Sequence, residues 1–427
     1  MKQFTSILQR IFSNREIRKK ILFTAAIFLV FRFLAHVPVP AVNLVQLKAI
    51  FASSQLLSVL NIFSGGTLSS FSVMAVGINP YITASIVVQV AGMIFPTLKE
   101  LQKEGESGRE KLNQYTRFLS VPIAVVQSIS VLVLLRTQGL LQSQDPFTII
   151  TMIFTLVAGS MVLMWLGELV TLYGIGNGIS MVLFAGIVGQ FPAAVAQLFS
   201  VTGSQDLIKI GIFAALFLGV ISLMVFMNEA IRKVAIQYAK RNRGDKVYGG
   251  QTTHFPIKIN VAGVLPIIFA VSFMLAPPFI GRFLTTLGNT QLTQLGQNVT
   301  LWFSPTSPVY MVIYFLLVFT FTFFSAMVFF NAGDISEELK KSGAFIPGTR
   351  PGGPTKQFLE FVVARITFVG AVFLGFIAIL PSIAQSITNI QSLAIGGTSM
   401  LIVVSVVLET AKQVEGLLVG ENYDKFI

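Results

Sequence analysis

Apolar residues run through this chain in stretches of about twenty, ten times over, with short polar segments between them. A bilayer core takes about 20 mostly apolar residues per helix, and stretches of that kind lie at 21–38, 73–96, 118–136, 147–170, 178–200, 207–228, 261–281, 308–331, 358–381 and 392–411. The pattern predicts an all-α polytopic membrane protein with ten spans. One stretch breaks the rule. Residues 61–89, NIFSGGTLSSFSVMAVGINPYITASIVVQ, begin like a small amphipathic helix and end like a membrane helix, with Gly77, Asn79 and Pro80 between the two parts. Gly loosens the backbone there, and Pro lacks an amide hydrogen and crowds the preceding turn. The segment is therefore expected to enter the membrane without crossing it in one piece.

The long segments between spans are 39–72, which includes that feature, 282–307, and two loops at 229–258 and 332–357. In both loops the first part, NEAIRKVAIQYAKR and NAGDISEELKKSG, has charges on one side of a helical pattern, so each is expected to prolong the preceding helix beyond the bilayer. Each then ends in a stretch that cannot be helical, RGDKVYGGQTTHFP and PGTRPGGPT. Protruding loops of this kind usually bind something. The two halves echo each other weakly: IGNGISM at 175–181 opens the fifth span and IGGTSML at 395–401 the tenth. A duplicated five-helix unit would show this, inverted because five is odd. The frequency of Gly and Ser where membrane helices begin explains it equally well.

Composition agrees with lipid as the main solvent. Of 427 residues, 54% are hydrophobic and 11% charged, too apolar for a soluble protein of this size. The net charge of +12 would suggest nucleic acid in a soluble domain, but positive cytoplasmic loops account for it in a membrane protein. With the N-tail inside, the inner segments hold 24 Lys and Arg, the outer ones only Arg32, Lys48, Arg136, Lys209 and Arg282, while Arg365 lies just within a span. Both termini are thus expected in the cytoplasm. The basic first 20 residues precede a full-length span without a small-residue cleavage site, so they read as a tail before a retained helix. With no Cys there are no disulfides and no thiolate chemistry.

Catalytic groups are scarce. His36 and His254 are the only histidines, and GGTLSS has neither the spacing nor the Lys of a phosphate loop. No enzyme, cofactor or metal is expected. A secondary transporter of a small solute remains the competing reading, because broken helices and inverted repeats are common there. Coupled transport, however, generally needs a polar site near the membrane midplane. Glu168, Glu229, Glu360 and Glu409 instead lie at or near helix ends.

GINPYITASI, IQYAKR, KINVAGVLPIIFA, GTRPG and GGTSMLIVV, in that order and spacing, resemble the SecY family, the main channel subunits of bacterial protein translocation. The resemblance runs from the basic tail through the tenth span. It implies a protein-conducting channel that passes unfolded secretory polypeptides across the bacterial plasma membrane and releases apolar segments sideways into lipid. The implied fold is a clamshell of two inverted five-helix halves around an hourglass pore: a tail at 1–20, a first half at 21–200, a second at 201–411, and a tail at 412–427. A short plug helix at 61–72, including Asn61, Gly65, Gly66, Ser69 and Ser70, would close the pore from outside.

The same resemblance carries the pore ring onto Ile78, Ile82, Leu183, Ile187, Ile268 and Ile402. Leu183 departs from the Ile of some relatives. A collar of apolar side chains can yield around a chain of any sequence and exclude ions by dewetting. A lateral gate between the second and third spans and the seventh and eighth would hold the amides Gln89, Gln127 and Asn260. Arg232, Lys240, Arg241, Arg243, Lys246 and Arg350 would dock a SecA motor ATPase or a ribosome, including its rRNA, with Asp245 departing from a uniformly basic tip. SecE and SecG small membrane subunits, signal sequences, unfolded secretory proteins and membrane lipid complete the implied partners.

Overall fold

The structure, a computed structural model, describes residues 13–40, 42–53, 61, 64–141, 145–192, 207–238, 241–243, 246–248, 252–261, 263, 265–285, 290–304, 307–388 and 392–424. It is mostly helical. The helices are α1 (Arg15–Ala35), α2 (Leu44–Ser53), α3 (Asn79–Ile94), α4 (Pro96–Lys103), α5 (Glu106–Thr137), α6 (Pro146–Tyr173), α7 (Gly178–Val188), α8 (Leu207–Glu229), α9 (Leu265–Thr285), α10 (Thr290–Trp302), α11 (Pro308–Phe329), α12 (Ala332–Lys341), α13 (Gly353–Thr388) and α14 (Ser392–Asp424). Their starts follow local chemistry. Asn14, Asn177 and Asn331 each cap a helix by accepting two amide hydrogens on the side-chain oxygen. Pro opens α3, α4, α6 and α11, where its missing N–H is not needed.

Four helical stretches among the described residues, Glu106–Val133, Pro146–Tyr173, Pro308–Lys341 and Gly353–Leu380, are long and apolar enough to cross a membrane. α3 is shorter, at 16 residues, about 24 Å at the usual rise. The seventh apolar stretch contains Pro277 and Pro278 inside α9. The echo between the fifth and tenth spans divides at the backbone: residues 175–177 precede α7, whereas 395–401 lie within α14.

The expected prolongation of α8 is overturned. The described residues between 231 and 258 are strands, not an extension of α8. β1 (Ile231–Tyr238) pairs antiparallel with β4 (Thr252–Lys258) from Ile231 opposite Lys258 to Gln237 opposite Thr252, and β5 (Ala344–Phe345) joins its other edge. β2 (Arg241–Arg243) and β3 (Lys246–Tyr248) form a separate hairpin. The reason is the period of burial. Val234 and Ile236 face inward two apart and pack with Ile257, Ile346, Leu359 and Val363 against α12 and α13. The other loop is helical where expected, as α12, but α13 starts at Gly353, inside the stretch read as irregular.

The largest apolar cluster lies where α1, α3, α6, α7, α8, α9, α11, α13 and α14 meet. A second cluster joins the segment before α2, the turns around Phe71, and α5 and α6. On α6, Gly159 lies so near the Val73 carbonyl that any Cβ would collide with it.

Candidate functional site

The six residues expected at the constriction come from four helices and fall in one buried apolar cluster. Ile78 caps α3, and Ile82 follows one turn later. Leu183 and Ile187 repeat that spacing on α7, so each pair shares a helix face. Ile268 lies near the start of α9 and Ile402 within α14. None of the six is more than 8% exposed. Phe31, Met74, Phe269 and Met274 belong to the same cluster. Packed aliphatic groups of this sort offer water no hydrogen bonds, so the arrangement can seal without recognising a sequence.

The segment beside this cluster is not a helix. Residues 64–71 are a run of turns, which corrects the helix expected at 61–72. Gly65 and Gly66 take φ of +74° and +84°, values that a helix does not allow. Side chains also compete for the backbone. Asn61 Oδ1 accepts from Ser69 N at 2.8 Å, Ser64 Oγ donates to Asn61 O at 2.9 Å, and Ser69 and Ser70 donate to Gly66 O at 3.1 and 3.3 Å. Ser70 also donates to Ala35 O of α1. The run ends at Phe71, fully buried at φ +40° and strapped by Val39 N to its carbonyl at 2.8 Å.

The joint to α3 depends on Gly77, at φ +69°. Its buried carbonyl accepts from Ser160 Oγ of α6 at 2.8 Å. Sequence reasoning named Gly77 but missed Ser160, along with Phe31, Arg32, Gly186 and Gln190, which meet the turns at Gly65 and Gly66 or hold the helix end beside them. A hydroxyl in a membrane helix was the available signal for Ser160, and a charge in the first span for Arg32.

α3 packs on α9, the boundary at which the gate was expected. The three amides there are not bonded to one another. Gln89 Nε2 donates to Ser85 Oγ of its own helix at 3.1 Å, and Gln127 is half-buried on α5. Asn260, 6% exposed, donates to Asn228 Oδ1 at 3.0 Å and to Gly263 O at 3.1 Å. Asn228 donates to Ser405 Oγ at 3.4 Å, and Lys412 donates to Asn228 O at 3.0 Å while pairing with Glu229 at 2.9 Å. Asn260 therefore ties the start of α9 to α8 and α14. Glu168 and Glu360 are also paired, with Arg117 at 2.6 Å and Lys356 at 3.7 Å.

The strand-bearing end carries the expected docking residues. Arg232 is exposed on β1. Arg241 lies on β2, Lys246 on β3, and Arg243 stands directly opposite Lys246 across the hairpin. Lys240 lies outside the described residues. Arg350 is exposed on the turn between β5 and α13. That turn is fastened by Thr355 Oγ1 to Arg350 O at 2.8 Å and Ser336 Oγ to Gly352 O at 2.7 Å.

The chain matches the SecY family over residues 72–411. It belongs to the SecY family. Relatives share its length: the protein translocase subunit SecY of Streptomyces scabiei is 40% identical over 98% of both chains, and that of Bacillus subtilis 42% identical over 96% of this chain and 97% of its own. The SecY fold is also found by shape. A solved structure described as a protein-conducting channel superposes with TM-score 0.63 at 17% identity, covering 93% of this chain and 91% of the other. Sec61 in the canine ribosome–channel complex does so with TM-score 0.58, 17% identity and the same coverage. A study of the SecY plug domain, which names it as stabilising the closed channel and maintaining a membrane seal, supplies a third, with TM-score 0.65 at 18% identity over 93% and 91% of the two chains.

Proposed function

We propose that the chain is a protein-conducting channel that passes unfolded secretory polypeptides across the plasma membrane and releases apolar segments sideways into lipid. The observation that carries this reading is the buried cluster holding Ile78, Ile82, Leu183, Ile187, Ile268 and Ile402, contributed by helices far apart in sequence. An apolar constriction suits a cargo of arbitrary sequence, because specific hydrogen bonds would favour one cargo over another. The competing solute transporter finds no support among the relatives, which are translocase subunits.

In this reading, ten spans form two inverted halves at 21–200 and 201–411 around an hourglass pore, and both termini are cytoplasmic. The turns from 64 to 71 act as the plug. α3 and α5 face α9 and α11 across the lateral gate, and Asn260 sets how firmly α9 is held. The basic hairpin and Arg350 dock a SecA-like motor or a ribosome. The sequence of the hairpin supports this, since Arg241, Arg243 and Lys246 put three cations within six residues, a density that suits an anionic partner such as rRNA phosphate. One similar fold is that of a ribosome-bound channel. SecE- and SecG-like subunits would complete the assembly, and energy would come from the motor or from translation.

The test is site-specific photocrosslinking from positions 82 and 402 to a stalled secretory chain. Crosslinks at both positions are expected. Crosslinks at neither, with the stalled chain demonstrably in the membrane, would overturn the assignment of the pore.

A further inference from the structure

Arg32 is a cation on an otherwise apolar stretch of helix, three residues before α1 ends. A charge in that position ordinarily turns to the membrane surface. This one turns inward. Its Nη2 donates to Ala185 O at 3.0 Å and Gly186 O at 3.5 Å, the carbonyls of the last turn of α7. A Cβ on Gly189, the cap of that helix, would fall on the guanidinium. The last carbonyls of a helix lack amide partners of their own and form its negative end. Here Gly189 N reaches Ala185 O, and Gln190 N turns to Ile187 O. Gly186 O is left to Arg32.

The same turn carries the seat of the plug segment. The backbones of Gly65 and Gly186 touch: a Cβ added to Gly65 would stand 2.8 Å from Gly186 Cα, and one added to Gly186 would stand 2.7 Å from Gly65 Cα. Phe31, next to Arg32, presses its ring on Gly65, and the Gln190 side chain covers Gly66. Ile187, the residue after Gly186, belongs to the buried cluster assigned to the constriction.

We infer that Arg32 is a positioning residue of the closed channel: its guanidinium fixes the end of α7 so that Gly186 receives Gly65 and Ile187 stays in the seal. This deepens the channel reading and rests on it. The planar guanidinium is suited to the task because it presents several donors in a fixed fork, which an ammonium does not. One cation thereby couples plug and constriction, and movement of either disturbs the other.

The channel, purified with its partner subunits, is tested for resting ion conductance in planar bilayers. Arg32→Gln should raise it about tenfold, the scale of a single charge-assisted hydrogen bond, and Arg32→Lys should raise it less. Gly186→Ala should leak through the same defect, so the double variant Arg32→Gln/Gly186→Ala should leak no more than the worse single one. Since the chain has no native Cys, Ser69→Cys reports the plug directly, and Arg32→Lys should speed its labelling by a membrane-impermeant maleimide. Ile82→Asn serves as the control for the pore. If Ile82→Asn leaks while both Arg32 variants keep wild-type conductance and labelling, the inference is overturned alone. A tight Ile82→Asn channel would overturn the pore reading beneath it. Additive leaks would reduce Arg32 to general scaffolding and overturn the inference as well.

Discussion

At the scale of single residues, the site depends on groups that occupy the backbone's own hydrogen-bonding positions. The Gly77 carbonyl is buried at the point where the chain turns into α3, and Ser160 supplies its side-chain donor. Ser160→Ala would leave that carbonyl without this donor, a loss of about 1–3 kcal/mol. A lower midpoint of thermal unfolding in detergent is expected, together with a leakier resting channel because Ile78 adjoins the joint. An unchanged midpoint and conductance would exclude Ser160 from that task. Asn260 works in the same way where α8, α9 and α14 meet. Asn260→Leu removes the donor that meets Asn228 Oδ1 and Gly263 O, and a destabilisation of about 1–3 kcal/mol is expected. The apolarity that a signal segment needs for export, measured with a graded series of signals, should shift in the same variant. Of these residues, Asn260 was named from the family resemblance as a lateral-gate amide, whereas Ser160 was not named, since a lone hydroxyl in a membrane helix most often bonds its own preceding turn. Thr83, Ser128 and Thr322 do so here.

At the scale of elements, the loop after α8 shows where a local pattern misleads. IRKVAIQY can place its charges on one side of a helix, but it also alternates, and Val234 and Ile236 bury two apart. The alternation prevails because β4 and β5, the latter distant in sequence, complete its hydrogen bonds and its apolar face. Val234→Asp would bury a carboxylate without a partner, and by disrupting the sheet it should disturb the Arg350 turn that packs beside it. Loss of motor-driven export with normal membrane insertion is the expected result. On the hairpin, replacing Arg241, Arg243 and Lys246 together by Gln should weaken ribosome binding and lower its salt dependence by a slope of about 3, near one for each phosphate no longer neutralised. An unchanged slope would remove the hairpin from that interface.

For the whole molecule, two regions are built to different rules. Around the buried cluster that holds Ile78, Ile82, Leu183, Ile187, Ile268 and Ile402, apolar side chains from several helices meet and backbones approach through glycine. Beside the strands, Arg232 is exposed on β1 and Arg350 is exposed on a turn fastened to α12 and α13. Arg350→Glu in reconstituted vesicles should abolish ATP-driven export while leaving resting conductance as it was, because Arg350 is exposed and stands outside the buried cluster. The membrane class, the positions of most apolar helices and the broken approach to α3 were determined by the sequence alone, because span length, Pro and Gly act locally. Tertiary structure decided what no local rule contains. It gathered six aliphatic residues from four helices into one cluster, turned a helical-looking loop into strands, and replaced the helix expected at 61–72 by turns in which side chains take the backbone's bonds. It also drew Arg32 away from the surface toward the end of α7. Those outcomes depend on partners remote along the chain, whose identity is written in the sequence but whose proximity is created only by folding.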